Sequence, residues 1–256
     1  MGENRKFFKK ASTKKITLEE MLNRIYNTVD LRTTCNHGLS CCKVGCPQMH
    51  YSEFSSLINQ IWKTTSKSDK IELICKSVEY FFHNEFDKFG METLLKPCML
   101  LDENTKGCRY YNQRCLNCRI YGLWPKDIYN ERVDKFEKAY EGLLKREQLP
   151  LNKQCPNVKR VNNSQPLTEQ IIDGMFKQLD ELDAKTGNFS EVQIENRENY
   201  RTFHDWVLYK IFGVEWLEDL TRFMLSSSKE VINDQIEALK TVIRQKFAKD
   251  MPNLLS

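Results

Sequence analysis

Apolar residues recur three and four positions apart through most of this 256-residue chain, the spacing that gathers them on one face of an α-helix. Phe54, Leu57, Ile58 and Ile61 form one such stripe, and Ile71, Ile74, Val78, Phe82 and Phe86 the next. Ile128, Val133, Phe136, Tyr140 and Leu143 predict another helix. After the break "CPNVKRVNNSQP" come Ile172, Met175, Phe176 and Leu179, then Tyr200, Phe203, Val207 and Ile211. Two capping boxes punctuate the pattern. Thr17 with Glu20 opens a helix to about Val29, and Ser227 with Glu230 opens one carrying Ile232, Ile236, Leu239 and Ile243. No stretch alternates as a half-buried strand does. The expected fold is mostly α, with helices around two irregular cysteine-rich loops and a helical C-terminal region.

The two loops are where the helical period fails. The first, "TTCNHGLSCCKVGCP" (33–47), holds Cys35, Cys41, Cys42 and Cys46; the second, residues 98–125, holds Cys98, Cys108, Cys115 and Cys118. Eight of the ten cysteines therefore lie in two polar, irregular segments. Cys115 and Cys118 form a C-x-x-C pair, whose two-residue gap lets both sulfurs turn toward one ion, as in zinc and iron–sulfur sites. All eight are candidate metal ligands. Cys41 and Cys42 are adjacent and point differently, so at most one is expected to share an ion with Cys46. Cys75 lies on the apolar stripe of Ile74 and Val78 and reads as core. Cys155 opens the break. His37 and His50 bracket the first loop as alternative or supporting ligands, although solvation is the commoner fate of a loop histidine. Glu53 reads as a helix N-terminal acid favoured by the helix dipole.

Length and charge narrow the rest. The chain divides into a basic tail (1–15, expected to be flexible), a cysteine-cluster domain (16–154), a linker (155–166) and a helical region (167–256). A net charge of +4 on 39 basic and 35 acidic residues is too slight to argue for nucleic acid, which stays a weakly supported partner. The start "MGENRKFFKK" lacks the apolar core of a signal peptide, and no apolar run reaches the length of a membrane span. A cytoplasmic location is expected, where thiols stay reduced and clustered cysteines point to metal or redox chemistry before disulfides.

The segments "SCCKVGC" with the following "YSEF", then "CMLL", "CRYY" and "CRIYGLWP", resemble the YkgJ-type cysteine-cluster family, described as zinc- or iron-chelating domains that also occur in flagellin lysine methylases. The resemblance covers roughly residues 30–130. Cys115 stands where the family has proline, the first loop is longer, and Cys46 is additional.

Thiolate-only ligation suits both zinc and iron–sulfur clusters. Eight loop cysteines without a histidine pair favour an iron–sulfur cluster, 4Fe–4S first, with zinc the alternative. Lys43, Lys106, Arg109, Arg114 and Arg119 flank the loops and would offset thiolate charge. Position 49 is Met49, so no C-x-x-x-C-x-x-C motif forms, and no glycine-rich nucleotide motif is present. Two functions remain open: redox or peptide- and protein-modifying chemistry at a cluster, or a zinc-stapled interaction module without catalysis. A protein or peptide partner is expected in either case. Neither enzyme status nor oligomeric state is legible.

Overall fold

The computed structural model describes residues 16–35, 41–88, 97–102, 104, 107–139, 158–161, 164, 167–252 and 254. Tyr140, Leu143, Cys155, His37, Lys106 and residues 1–15 lie outside these. Helix dominates, as expected. In chain order come α1 (Leu18–Asp30), β1 (Thr33–Cys35), a 3-10 turn (Cys42–Val44), β2 (Gln48–His50), α2 (Tyr51–Thr64) and α3 (Lys67–Lys88). Next are β3 (Leu101–Asp102), β4 (Gly107–Cys108), a 3-10 turn (Tyr111–Gln113), α4 (Leu116–Ile120), α5 (Lys126–Ala139) and β5 (Val158–Arg160). The chain ends with α6 (Glu169–Thr186), α7 (Glu191–Glu195), β6 (Tyr200–Thr202), α8 (Phe203–Phe212), α9 (Val214–Ser226) and α10 (Lys229–Lys249).

Local chemistry sets the helix ends. Thr17 Oγ1 accepts from the Glu20 amide at 3.1 Å while Glu20 Oε2 accepts from the Thr17 amide at 2.8 Å, so α1 starts with two otherwise orphaned donors satisfied. The cap of α10 is Ser228, not Ser227; its side chain accepts from Val231. Tyr200 does not continue the stripe of Phe203 and Val207. Thr202 caps α8, its hydroxyl bonded to Asp205, and Tyr200 precedes that cap on a strand.

Three antiparallel two-stranded ladders pin distant segments together. β1 pairs with β5, matching Cys35 to Val158, and β2 pairs with β6, matching His50 to Tyr200. β3 pairs with β4, setting Leu101 opposite Cys108. Strands of two or three residues are too short for alternation to show in sequence.

Two apolar clusters form the interior. One joins α2, α3, α8, α9 and α10 through Phe54, Ile58, Val78, Phe203, Trp206 and Ile236. The other joins α1, α4 and α6 through Val29, Leu116, Ile120, Ile172, Met175 and Leu179. Burying each such side chain contributes about 1.5–3 kcal/mol before chain entropy is counted. Cys115 belongs to the first cluster and Leu116 to the second. The C-x-x-C turn therefore sits on the seam between the two cores.

Candidate metal centre

The first cysteine loop is turned by Gly45, whose φ of 113° lies where a side chain would clash. The loops are then tied together: the Cys98 amide donates to Cys42 O at 2.6 Å, and the Met99 amide donates to Cys46 Sγ at 3.2 Å. Cys46 Sγ and Cys98 Sγ stand 3.6 Å apart, from opposite loops. Cys115 Sγ and Cys118 Sγ are 3.8 Å apart, and Cys41 Sγ and Cys42 Sγ 3.9 Å.

Cys42, Cys98, Cys108, Cys115, Cys118 and Arg114 line one small cavity of about 30 Å³, walled otherwise by apolar side chains and Tyr110. Five of the eight expected ligands thus converge on one space. Of the adjacent pair, Cys42 lines the cavity and Cys41 does not. Cys46 reaches the set through Cys98. Cys35 lies elsewhere, on β1, lining a separate cleft of about 390 Å³ with Asp30, Tyr111, Arg114 and Arg119. Cys75 is fully buried in the core, its thiol 3.7 Å from Lys240 O. The sulfurs stand in pairs; among the described residues no three His, Cys, Asp or Glu side chains surround a single ion position.

Crowding polarises these thiols. The contact with Cys42, with help from Arg114, pulls Cys41 down to about 7, and the same contact together with burial pushes Cys42 far up. Cys46 is raised by its hydrogen bond to Cys98 and by burial, and Cys98 is lowered as the acceptor. Burial, then the charges of Cys98 and Cys41, push Cys108 up to about 11. Cys118 is raised by its bond to Cys115, by burial, and by the same distant thiolates. Each thiolate makes the next harder to form, so the set can lose its protons together only if a cation enters. In ligand type and electrostatics the residues suit a thiolate-bound metal, with five of the thiols lining one cavity and none of them grouped in threes about a single point among the described residues.

The flanking cations divide. Arg114 lines the cavity and stacks on Tyr111, its guanidinium carbon 3.8 Å from the ring centre. Arg119 is buried and structural: it pairs with Asp30 and donates to the Asn112 and Arg114 carbonyls at 2.7 and 2.9 Å.

A buried polar network supports the site and was not expected. His50 is fully buried, not solvated, because β2 carries it beneath α6. Its Nε2 lies 3.1 Å from Asp180 Oδ1, and its Nδ1 is 3.6 Å from Glu53, too long for a hydrogen bond. Burial alone would lower His50; Asp180 and Glu53 prevail and raise it to about 9. Glu53 does stand in the first turn of α2, but it also accepts from Tyr26 Oη at 2.8 Å and from the Leu116 amide at 2.6 Å, the residue after Cys115. Asp183 caps α2 by accepting from the Tyr51 and Ser52 amides at 3.1 and 2.7 Å. One signal for it lay in sequence: Asp183 occupies a position on the buried stripe of Ile172, Met175 and Leu179.

The chain matches no protein-family model, no curated protein and no solved structure. Among the described residues no helix is long and apolar enough to cross a membrane.

Proposed function

We propose that this is a cytoplasmic metal-binding protein of the YkgJ-type cysteine-cluster kind, whose two loops hold an iron–sulfur cluster, 4Fe–4S first. The observation that carries the reading is the single cavity lined by Cys42, Cys98, Cys108, Cys115 and Cys118. Cys46 Sγ stands 3.6 Å from Cys98 Sγ, and the five lining thiols already exceed the four that one zinc ion needs. When bound, a cluster supplies one-electron chemistry. The chain's own contribution is to exclude water with apolar walls, to place Arg114 against the thiolate charge, and to anchor the C-x-x-C turn through Glu53. Redox or peptide- and protein-modifying chemistry on a protein or peptide partner is the activity we propose for such a cluster.

A second reading has its own observation. Tetrahedral zinc–thiolate bonds of about 2.3 Å put two sulfurs about 3.8 Å apart, which the Cys46–Cys98 and Cys115–Cys118 separations of 3.6 and 3.8 Å match. A structural zinc that staples the loops of an interaction module is the alternative.

Anaerobic purification with metal and sulfide analysis separates them. A cluster gives brown protein with iron, acid-labile sulfide and visible absorption that bleaches on reduction. Colourless anaerobic protein with stoichiometric zinc and no sulfide overturns the cluster and establishes the alternative.

A further inference from the structure

Beside the cysteine cavity, on the far side of the C-x-x-C turn, lies an open cleft of about 530 Å³ between α6, β6 and α4. That volume is in the range of small-molecule sites. Phe176 and Tyr200 meet edge to face within it, ring centres 6.2 Å apart at 77°, and Trp124 adds a third aromatic wall.

The charges around this aromatic surface are of both signs, and among the described residues only the Arg197–Asp180 contact, at 3.9 Å, joins two of them. Asp173 and Lys177 stand one turn apart on α6, both exposed, and four residues of helix separate them by about 6 Å along the axis. Neighbours at that spacing commonly pair. Here neither makes an ion pair or hydrogen bond with any described residue. Asp180 is already engaged by His50 and by Asn199 at 2.9 Å. Arg197 reaches Asp180 only at 3.9 Å and is 59% exposed. Its backbone φ of 60° is the left-handed turn that ends α7, closed by the Glu198 amide on Gln193 O at 2.9 Å. Two acids and two bases give no net attraction for a polyanion, which nucleic acid would require.

The complementary ligand is a small zwitterion with an aromatic ring. We infer that the cleft binds a free aromatic α-amino acid, its carboxylate against Lys177 and Arg197, its ammonium against Asp173, and its ring against Phe176 and Tyr200. Asn117 places this occupant next to the cysteines. It is one of the two residues between Cys115 and Cys118, it donates to Gln48 O at 2.7 Å and to Tyr200 Oη, and Cys115 Sγ lies 3.9 Å from that same Gln48 carbonyl. The inference goes beyond the metal centre and does not depend on which metal the cysteines hold.

Titration calorimetry on the metal-loaded full chain tests it with three probes: L-phenylalanine, phenethylamine and 3-phenylpropionate. L-Phenylalanine should bind saturably, and each analogue lacking one charge should bind at least tenfold more weakly. Lys177→Met should weaken L-phenylalanine about tenfold and leave phenethylamine unchanged; Asp173→Asn should weaken phenethylamine and leave 3-phenylpropionate unchanged. Both positions are exposed on α6, so the variants keep the fold. Absence of saturable L-phenylalanine binding at millimolar concentration, equal binding of all three probes, or indifference to both substitutions overturns the inference. Metal content measured on the same samples keeps the two conclusions apart: metal-replete protein that ignores L-phenylalanine sinks this inference alone, and metal-free protein that binds it sinks the metal reading alone.

Discussion

His50 Nε2 stands 3.1 Å from Asp180 Oδ1, although the two residues are 130 positions apart in sequence. The contact locks the strand that leaves the first cysteine loop to α6, and it places a charged imidazolium where no water reaches. Folding raises His50 from 6.5 to about 9. A raised value means that the folded state holds the proton more tightly, so the stabilisation is full below 6.5 and is lost as pH rises through about 9. The span corresponds to roughly 3 kcal/mol at most. Urea unfolding of the wild type and His50→Gln between pH 6 and 10 should show a gap that narrows steadily above pH 6.5. A constant gap would mean that His50 is neutral throughout.

Glu53 makes the opposite prediction in acid. Burial opposes its charge, but His50 and the amides of His50 and Leu116 outweigh burial and hold it below the ordinary carboxylate value. Its stabilisation is therefore complete above about 4.5 and is lost as pH falls through the depressed folded value. Glu53→Gln would remove one of the two carboxylates that hold the His50 charge and turn an amide NH2 toward donors. The expected loss is about 3–5 kcal/mol. Because Leu116 follows Cys115, metal content should also fall, and Gln at this position should do no better than Ala. Full metal occupancy in Glu53→Gln would show that the carboxylate does not position the C-x-x-C turn.

The cysteines can be ranked. Ser substitutions at Cys42, Cys98, Cys108, Cys115 or Cys118 should each lower bound metal, since a hydroxyl is a poor ligand for a soft-metal site. Cys35→Ser should retain metal, because β1 holds that thiol in a different cleft. Cys75→Ser should cost stability alone through its buried core position. Equal metal content in all seven proteins would remove the cavity from consideration as a metal site.

Helices were legible because their signals are local. Thr17 and Glu20 announce α1 within four residues, and the stripe of Phe54, Leu57, Ile58 and Ile61 announces α2. Where two local signals competed, the choice between them slipped: Ser227 and Ser228 both suit a cap, and Tyr200 keeps helical spacing with Phe203 although Thr202 starts the helix. The ladders were invisible, because β2 needs β6 some 150 residues later to exist at all. The same distance hid the partnership of His50 with Asp180. The cysteines were legible as two loops with metal-site spacing. Spacing along the chain says nothing about direction, and only the fold turns Cys42 toward the cavity and leaves Cys35 on a separate strand.

Metal removal should unfold the protein unevenly. The site is built from turns and strands of two or three residues, held by bonds that include Cys98 to Cys42, Met99 to Cys46 Sγ and the short β3–β4 ladder. Such elements are unstable without a ligand that draws them together. α3 and α10 instead pack through Ile74, Cys75, Val78, Ile236 and Ile243, all buried and none of them a loop cysteine. Hydrogen exchange before and after chelation should therefore show amides of residues 41–50 and 97–120 losing protection by tenfold or more. Amides in the middle of α3 and α10 should change little. Uniform loss across both regions would mean that the metal stabilises one cooperative unit, and unchanged protection in the loops would mean that they hold their shape without it.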